Sequence, residues 1–525
     1  MKNYIFMLSV MLFLSGCTGM IDVQPENSTT FTNYFRAKKD AEALLVTMHS
    51  TLREVMFNDI YGPHHAAGGI MDQISATVVT SARRLDPSQH TSQRWRYYYE
   101  TINSADIIID NIHRFPFPAE EMEPYRLQAC FTKGLMYFML AQRWGEVPIT
   151  RGSTNFDKLA KSSVSDVLDE AERWALQALE LQVFEELRDE HGNPRKTKQY
   201  ASKGAAAALL AHLYAWRASI EGKNEYWEEA EKYCTMIMNN EVGFYDLAKS
   251  PEQVCSEVLS RNSVESIWEV YKSTEERIAS KIYFSEAFFG FPVRMDSWGG
   301  NPAKKMDMEI SKARVRMMYD EADRRRDAFF LVTDAKKLYV IKNGEEYTVK
   351  TTLEEGDVVY KQYNNTYTKA FPTKFRKSYY TQNKDQQEPT FRGFDMCKVH
   401  WRLADIILLR AECRARQNKP SAIEDLNKIR KRAYGNDEHG YKASEGDLQL
   451  AIFREREKEL IFEDHRYYDV VRNGWDYVRR ELPEAYTLLS DQEILDGALY
   501  YATDLNAFEN NDLMRQNRYW NQFLQ

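Results

Sequence analysis

Glu455, Glu459 and Glu463 recur every four residues in REREKELIFED (454–464), and HRYYDVVRNGW (465–475) follows with Arg466, Asp469 and Arg472. No Gly or Pro separates the glutamates from Arg466, so the spacing predicts one continuous helix with the three glutamates on one face. Two chemistries suit such a face. Glycoside hydrolysis uses a pair of carboxyl groups about 5–10 Å apart, one of them with a raised pKa. Alternatively, the glutamates pair with Arg402, Arg430, Arg466 and Arg472 in a network that fixes helix register. Nearby arginines lower carboxyl pKa values, the opposite of what a general acid needs. The residues therefore favour the ion-pair clamp and a protein without catalytic residues, with an all-α glycoside hydrolase as the rival.

A second chemistry, recognition of sugar rings, needs flat aromatic faces beside amide and carboxylate partners for hydroxyls. Trp298 fits it. It stands between Asp296 and Gly299-Gly300, in a stretch with Phe289 nearby and no helical periodicity. Loops on a rigid scaffold carry function disproportionately. Trp95 and Tyr98 open a second aromatic run, WRYYYETINSADIIIDNIHRF (95–115), in which Trp95 and Tyr99 share a helix face that can equally be core. The pair His64-His65 lacks HExxH spacing and reads as polar loop, not as a metal site. No GxGxxG or Walker loop appears, and no cofactor is expected. A net charge of −8 without a basic tract points away from nucleic acid.

The elements that must position these residues are mostly helical. Only 23 Gly and 15 Pro in 525 residues leave few sharp turns. Periodic segments cover 36–56, 95–115, 124–144, 163–182, 202–222 and 226–240, with Pro124 placed to open its helix and Gly145 to end it. Short links between amphipathic helices give packed pairs, as in helical solenoids. Ala205–Ala208 would let backbones approach closely. From 272 to 400 the texture changes to loops and short strands, with a hairpin over 337–350 turning at Asn343-Gly344. Helices resume at 401–435, where Pro420 opens the second of two and Gly435 ends it.

At the amino terminus, Lys2 precedes an apolar run from Tyr4 to Leu14, a signal-peptide shape too short to span a bilayer. The run ends in LSGC (14–17), which resembles a lipobox and implies cleavage before Cys17 and lipidation of its thiol. Several acyl chains on one residue anchor a protein stably. The other five cysteines are widely and irregularly spaced, which argues against a zinc cluster or a disulfide framework and reads them as buried small hydrophobes.

Several segments resemble the SusD/RagB family. The carboxy-terminal signature appears as Arg402 to Asp405, Ala411-Glu412, Asn427, Arg430, Arg432-Ala433, Glu455-Arg456, Glu459-Leu460, Glu463, Arg466-Tyr467, Asp469 and Arg472. GLMYFMLAQRWGEVPIT (134–150), ASKGAAAALLAHLYAW (201–216) and MIDVQPENS (20–28) resemble its amino-terminal hallmarks, in order. Asp464-His465 stands where the family usually has Gly before Arg466. Asp106 stands where Asn is common, and LLSDQEI (488–494) lacks the usual Pro-Ile-Pro.

The resemblance implies a mainly α fold, with tetratricopeptide-like helix pairs and a loop-rich insertion carrying short β-hairpins. The expected organisation is a signal peptide at 1–16, a lipidated Cys17 and extended arm to 35, and one domain over 36–525. Within it fall an amino-terminal helical part (36–240), a ligand-binding insertion (272–400) and a carboxy-terminal helical part (401–525). The family further implies a lipid-anchored protein at the surface of the Bacteroidota outer membrane. Such proteins bind glycans, or sometimes peptides, and cap a SusC-like TonB-dependent transporter. Family ligand contacts near Trp95 and its preceding loop add Asp72 and Arg84 to the candidates Trp298, Asp296, Phe289, Trp95 and Tyr98.

Lipidation is open to a direct test. Cys17→Ala is expected to leave an unlipidated protein in the soluble fraction of lysed cells; retention in the membrane as firm as the parent's would contradict the lipobox.

Overall fold

The computed structural model describes residues 34–58, 62–74, 77–271, 289–291, 293, 308–343, 346–364, 368–381 and 390–523. Among them the principal helices are α1 (Lys38–Asn58), α2 (Arg96–Asn111), α3 (Ala119–Trp144), α4 (Val164–Ala178), α5 (Lys203–Ile220), α6 (Glu225–Met238), α7 (Leu403–Arg416), α8 (Ala422–Tyr434), α9 (Leu448–Glu459), α10 (Arg466–Asn473) and α11 (Trp475–Glu481). From α1 to α8 each helix packs on the next in chain order, and α7 also packs on α9. This nearest-neighbour stacking is the solenoid arrangement expected from the short links.

Local chemistry explains several boundaries. Ser163 caps α4 by accepting from the Asp166 amide while the Asp166 carboxylate accepts from the Ser163 amide. Gly145 (φ 71°) and Gly435 (φ 80°) end α3 and α8 in backbone that a side chain would strain. Pro124 does not open α3, which begins five residues earlier at Ala119. The extra turn is held by Met122 and Tyr125, which join Phe35 and Phe115 in a small core of their own, and by Glu120 and Glu121 at the positive end of the helix.

The helix expected through 454–475 is two helices. Phe462 (φ 67°) and Asp464 (φ 66°) lie in left-handed backbone between α9 and α10. The break has an electrostatic reason. It turns the carbonyls of Glu459 and Ile461 toward Lys374 Nζ, both at 2.9 Å. Leaving the helix there releases those carbonyls from helical bonding, and buried cations take them up.

The strands are β1 (Gln73–Ile74), β2 (Ser266–Val270), β3 (Met308–Ser311), β4 (Phe330–Leu331), β5 (Lys337–Asn343), β6 (Glu346–Lys350), β7 (Val359–Asn364), β8 (Lys369–Pro372), β9 (Ser378–Thr381), β10 (Thr390–Phe394) and β11 (Lys398–Arg402). β5 and β6 form the hairpin read from the sequence, paired out to Asn343↔Glu346, and β7 adds a third strand on the other side of β5. β1-β3-β8-β4 form a second small sheet. β2 and β11 pair antiparallel, from Val270↔Lys398 to Ser266↔Arg402. The strand-rich region thus leaves the helical body on β2 and returns on β11, a two-stranded stem.

The five described cysteines are buried, with no disulfide among the described residues. Ala205 to Ala208 are fully buried. α3 and α4 approach closely at Gly134 in α3, where a Cβ would lie 3.0 Å from the Ala175 amide nitrogen and 3.1 Å from the Ala171 carbonyl oxygen of α4. Backbone cannot yield as a side-chain tip can. Gly134→Val is therefore expected to lower stability by about 1–3 kcal/mol through overpacking, read as a lower melting temperature. An unchanged melt would contradict that packing.

Candidate functional site

The charged face that opened the sequence reading is a closed ion-pair network. Arg402, at the end of β11 and 1 % exposed, donates from Nε to Glu463 Oε2 at 2.8 Å and from Nη1 to Glu265 Oε1 at 2.7 Å. Its Nη1 also stands 2.8 Å from Glu459 Oε1. Arg325 holds Asp323 and Glu455, with Nη2 at 2.8 and 2.6 Å from them, and reaches Glu459 Oε2 at 3.4 Å. Arg432 adds contacts to Glu265 and Glu459. Lys374 Nζ sits 2.5 Å from Glu463, and Arg430 Nε 3.0 Å from Glu455.

A second group lies beside it. Arg456 joins Asp405 (2.8 Å) to Asp469 (3.0 Å), and Arg472 joins Asp469 (2.7 Å) to Glu412 (2.6 Å). Of the four arginines expected on the glutamate face, Arg402 and Arg430 are there. Arg466 pairs with Glu457 and Glu481, and Arg472 with Glu412 and Asp469. The helix break accounts for the difference, because it takes α10 out of register with α9.

This geometry opposes acid–base work. Burial alone would raise the carboxyls of Glu455, Glu459 and Glu463, but the surrounding cations more than reverse it and hold all three below the ordinary range. A general acid needs the reverse.

The ligand candidates divide. Asp296 and Trp298 lie outside the described residues. Phe289 is fully buried, edge-on to Phe375, Phe394 and Phe462 at 5.3–5.5 Å, so its ring packs in the core. Trp95 and Tyr98 are 6 % and 5 % exposed. Trp95 meets Tyr99 edge-on, and the Tyr98 hydroxyl accepts from Arg143 at 2.5 Å. Arg84 is exposed. Asp72 is at the surface, just ahead of β1. Its carboxylate accepts from the Ser311 amide at 2.7 Å and from Arg314 Nε at 3.0 Å. Burial would raise its pKa, but these bonds outweigh that and keep it ionised.

Asp72 thus clasps β3, the first described element after 294–307. Val293, on the other side of that stretch, accepts through its carbonyl from Ser378 Oγ at 2.7 Å. Val293 and β3 are thus both held to the body, β3 by Asp72.

Two concavities flank the start of α2. One, of about 210 Å³, is lined by Tyr97, Tyr98, Trp144, Tyr501, Glu54 and Gln93 among others. The other, open and of about 410 Å³, is lined by Trp95, Tyr99, Asn103, Asp504 and Asn506 among others. Aromatic walls with amide and carboxylate groups suit a hydroxyl-rich ligand. Sequence reasoning reached Trp95 and Tyr98. It missed Glu54, Tyr501, Asp504 and Arg314, which arrive from distant parts of the chain with no local signal. His64 and His65, read as polar loop, are buried in the short helix Pro63–Gly68. The His64 ring lies between Tyr467 and Tyr501, each 4.0 Å away.

Two family models match the chain: SusD family over residues 216–523, and Starch-binding associating with outer membrane over 21–215. The SusD-like protein P25 of Formosa agariphila is 23% identical over 90% of both chains. A SusD homolog from Bacteroides thetaiotaomicron has the same fold, with a TM-score of 0.70 at 19% identity over 92% of this chain and 98% of its own. The surface glycan-binding protein A from Bacteroides uniformis gives 0.64 at 16% identity, over 92% and 100%.

The network yields its own test. Glu459→Ala strands the cations of Arg402, Arg432 and Arg325, and is expected to cost about 3–5 kcal/mol. Chemical denaturation measures this, and an unchanged midpoint would mean the pairs do not stabilise the fold.

Proposed function

This chain belongs to the SusD family, and on that premise we propose that it is a cell-surface glycan-binding lipoprotein. It captures oligosaccharide and delivers it to a SusC-like TonB-dependent transporter of the outer membrane. The observation that carries this reading is the pair of family models that together span residues 21–523, the one over 21–215 described as starch-binding and associating with the outer membrane. The lipid anchor is Cys17, and the arm to residue 35 links it to the helical body. No described helix is long and apolar enough to cross a membrane, which fits attachment through the anchor.

In this reading the ligand meets the insertion and the start of α2. Trp298 offers its ring to a sugar face and Asp296 accepts from hydroxyls. Asp72, Arg84 and Tyr98 supply further contacts, while Phe289 and Trp95 are packing residues. Binding proceeds without bond-breaking. The carboxylates dense enough to suggest hydrolysis are committed to arginine and lysine, and their depressed pKa values unfit them as acids.

The soluble body, residues 18–525, is to be titrated against polysaccharides and peptides. A glycan is expected to bind, and Trp298→Ala to weaken it by about 2 kcal/mol or more, roughly 30-fold, with the melting temperature preserved. Asp296→Asn is expected to cost about 1.5–3 kcal/mol of binding. Binding of peptides alone, or glycan affinity indifferent to Trp298, would overturn the reading.

A further inference from the structure

Between the amino-terminal helices and the break after α9 lies a partly enclosed cavity of about 60 Å³, enough for a few waters. Four histidines line it: His65, His212, His400 and His465. They come from four elements: the helix Pro63–Gly68, α5, β11 and the α9–α10 link. The His465 ring centroid is 6.4 Å from that of His212 and 6.3 Å from that of His400. His400 also packs on Trp401 and Trp268, at 4.6 and 5.4 Å.

The charged groups facing the cluster are all engaged. Asp405 of α7 holds His212 Nε2 at 2.7 Å and Arg456 of α9 at 2.8 Å. Asp469 of α10 is taken by Arg456 and Arg472, and Glu463 by Arg402 and Lys374. Asp464 holds Lys398 of β11 at 2.7 Å and stands 3.7 Å from His65 Nδ1. Arg143 of α3 lines the same cavity. A proton added to His400 arrives beside His465, Lys398, His212 and Arg143, while one added to His465 is favoured by Asp405 and Asp469, both already paired with Arg456, and opposed by burial, which outweighs them, and by Arg456.

The α9–α10 link and the start of α10 help fasten the segment 62–74, together with Arg83, whose Nη1 donates to the Ala66 and Gly69 carbonyls at 3.2 and 2.9 Å, and with β3, which pairs with β1. Besides His65 with Asp464, the Gly68 carbonyl accepts from Arg466 Nη1 at 3.1 Å. Gly68 packs so tightly that a Cβ there would lie 2.8 Å from the Tyr467 amide nitrogen.

We propose that this cavity is an acid-sensitive latch: it holds residues 62–74, the segment that presents Asp72, onto the α9–α10 link at neutral pH, and lets them go when His400 and His465 take up protons. Burial holds both imidazoles below their ordinary range, His400 well below, and for His400 the neighbouring His465 and Lys398 push the same way. The sign follows. Above about pH 6.5 both histidines are neutral whether the latch is open or shut, and they favour neither form. Below it the open form takes protons that the shut form refuses, so opening grows as pH falls.

Hydrogen exchange of the whole protein, corrected for intrinsic pH dependence, tests this at pH 7.5 and 5.5. Amides of 62–74 are expected to exchange about tenfold faster or more at pH 5.5, the tenfold coming from His400. α4 (164–178) carries no histidine and lines no part of the cavity, so it serves as the internal reference and is expected to keep its protection. The double variant His400→Gln/His465→Asn is expected to abolish the acid response of 62–74. An acid response spread evenly over α4 and 62–74, none at all in the parent, or one that persists in the double variant would each overturn the latch.

Discussion

A guanidinium sealed from water is stable only if carboxylates meet it, and Arg402 meets three: Glu265, Glu459 and Glu463. Those partners belong to separate parts of the chain. Glu265 precedes β2, Glu459 ends α9, and Glu463 lies in the α9–α10 link. Arg402 itself ends β11. One buried side chain therefore ties the stem of the strand-rich region to the carboxy-terminal helices, and Arg325, Arg432 and Lys374 tighten the same knot. Such pairs gain little over an apolar core of equal volume, but losing one partner is costly. What they provide here is register: each charge has one place where it is satisfied.

The placement of the candidate ligand residues follows from that constraint. With β2 and β11 fixed, the strands between them hang from a rigid stem. The small sheet β1-β3-β8-β4 then brings Asp72 from the amino-terminal half against Ser311 and Arg314 of the insertion. The α9–α10 link, bent so that its carbonyls serve Lys374, is also the surface on which Gly68 and His65 rest. The charge network, the cavity and the clasp at Asp72 are parts of one mechanical path. Loops that present ligands need such a base, since their own contacts are few.

Much of this was legible in residue types and spacing. Helical periodicity located the solenoid because its helices bury one face each, and Gly145 and Gly435 ended helices where only left-handed backbone could turn. The arginine-glutamate density announced a clamp. Its partners were not legible: Asp323, Arg325 and Lys374 sit in the strand-rich region, and no local pattern marks them as core charges. The break at Phe462 and Asp464 was invisible because neither residue is a usual helix breaker; tertiary bonds to the freed carbonyls impose it. Pro124 misled for a similar reason, since buried Met122 outweighed a local start signal. Of the site, the sequence offered Asp72, Trp95 and Tyr98. The residues completing the concavities around α2, Glu54 and Tyr501, come from opposite ends of the chain and meet only in the fold.

The central claim is that Arg402 and Glu459 are coupled as a buried pair that holds the stem to α9. A double-mutant cycle of Arg402→Ala and Glu459→Ala, followed by equilibrium denaturation, measures that coupling directly. The account expects the double variant to be more stable than the sum of the single losses implies, by about 1–3 kcal/mol, because removing the second charge relieves the stranding caused by the first. Losses that simply add would contradict it, and the two residues would then be neighbours without being partners.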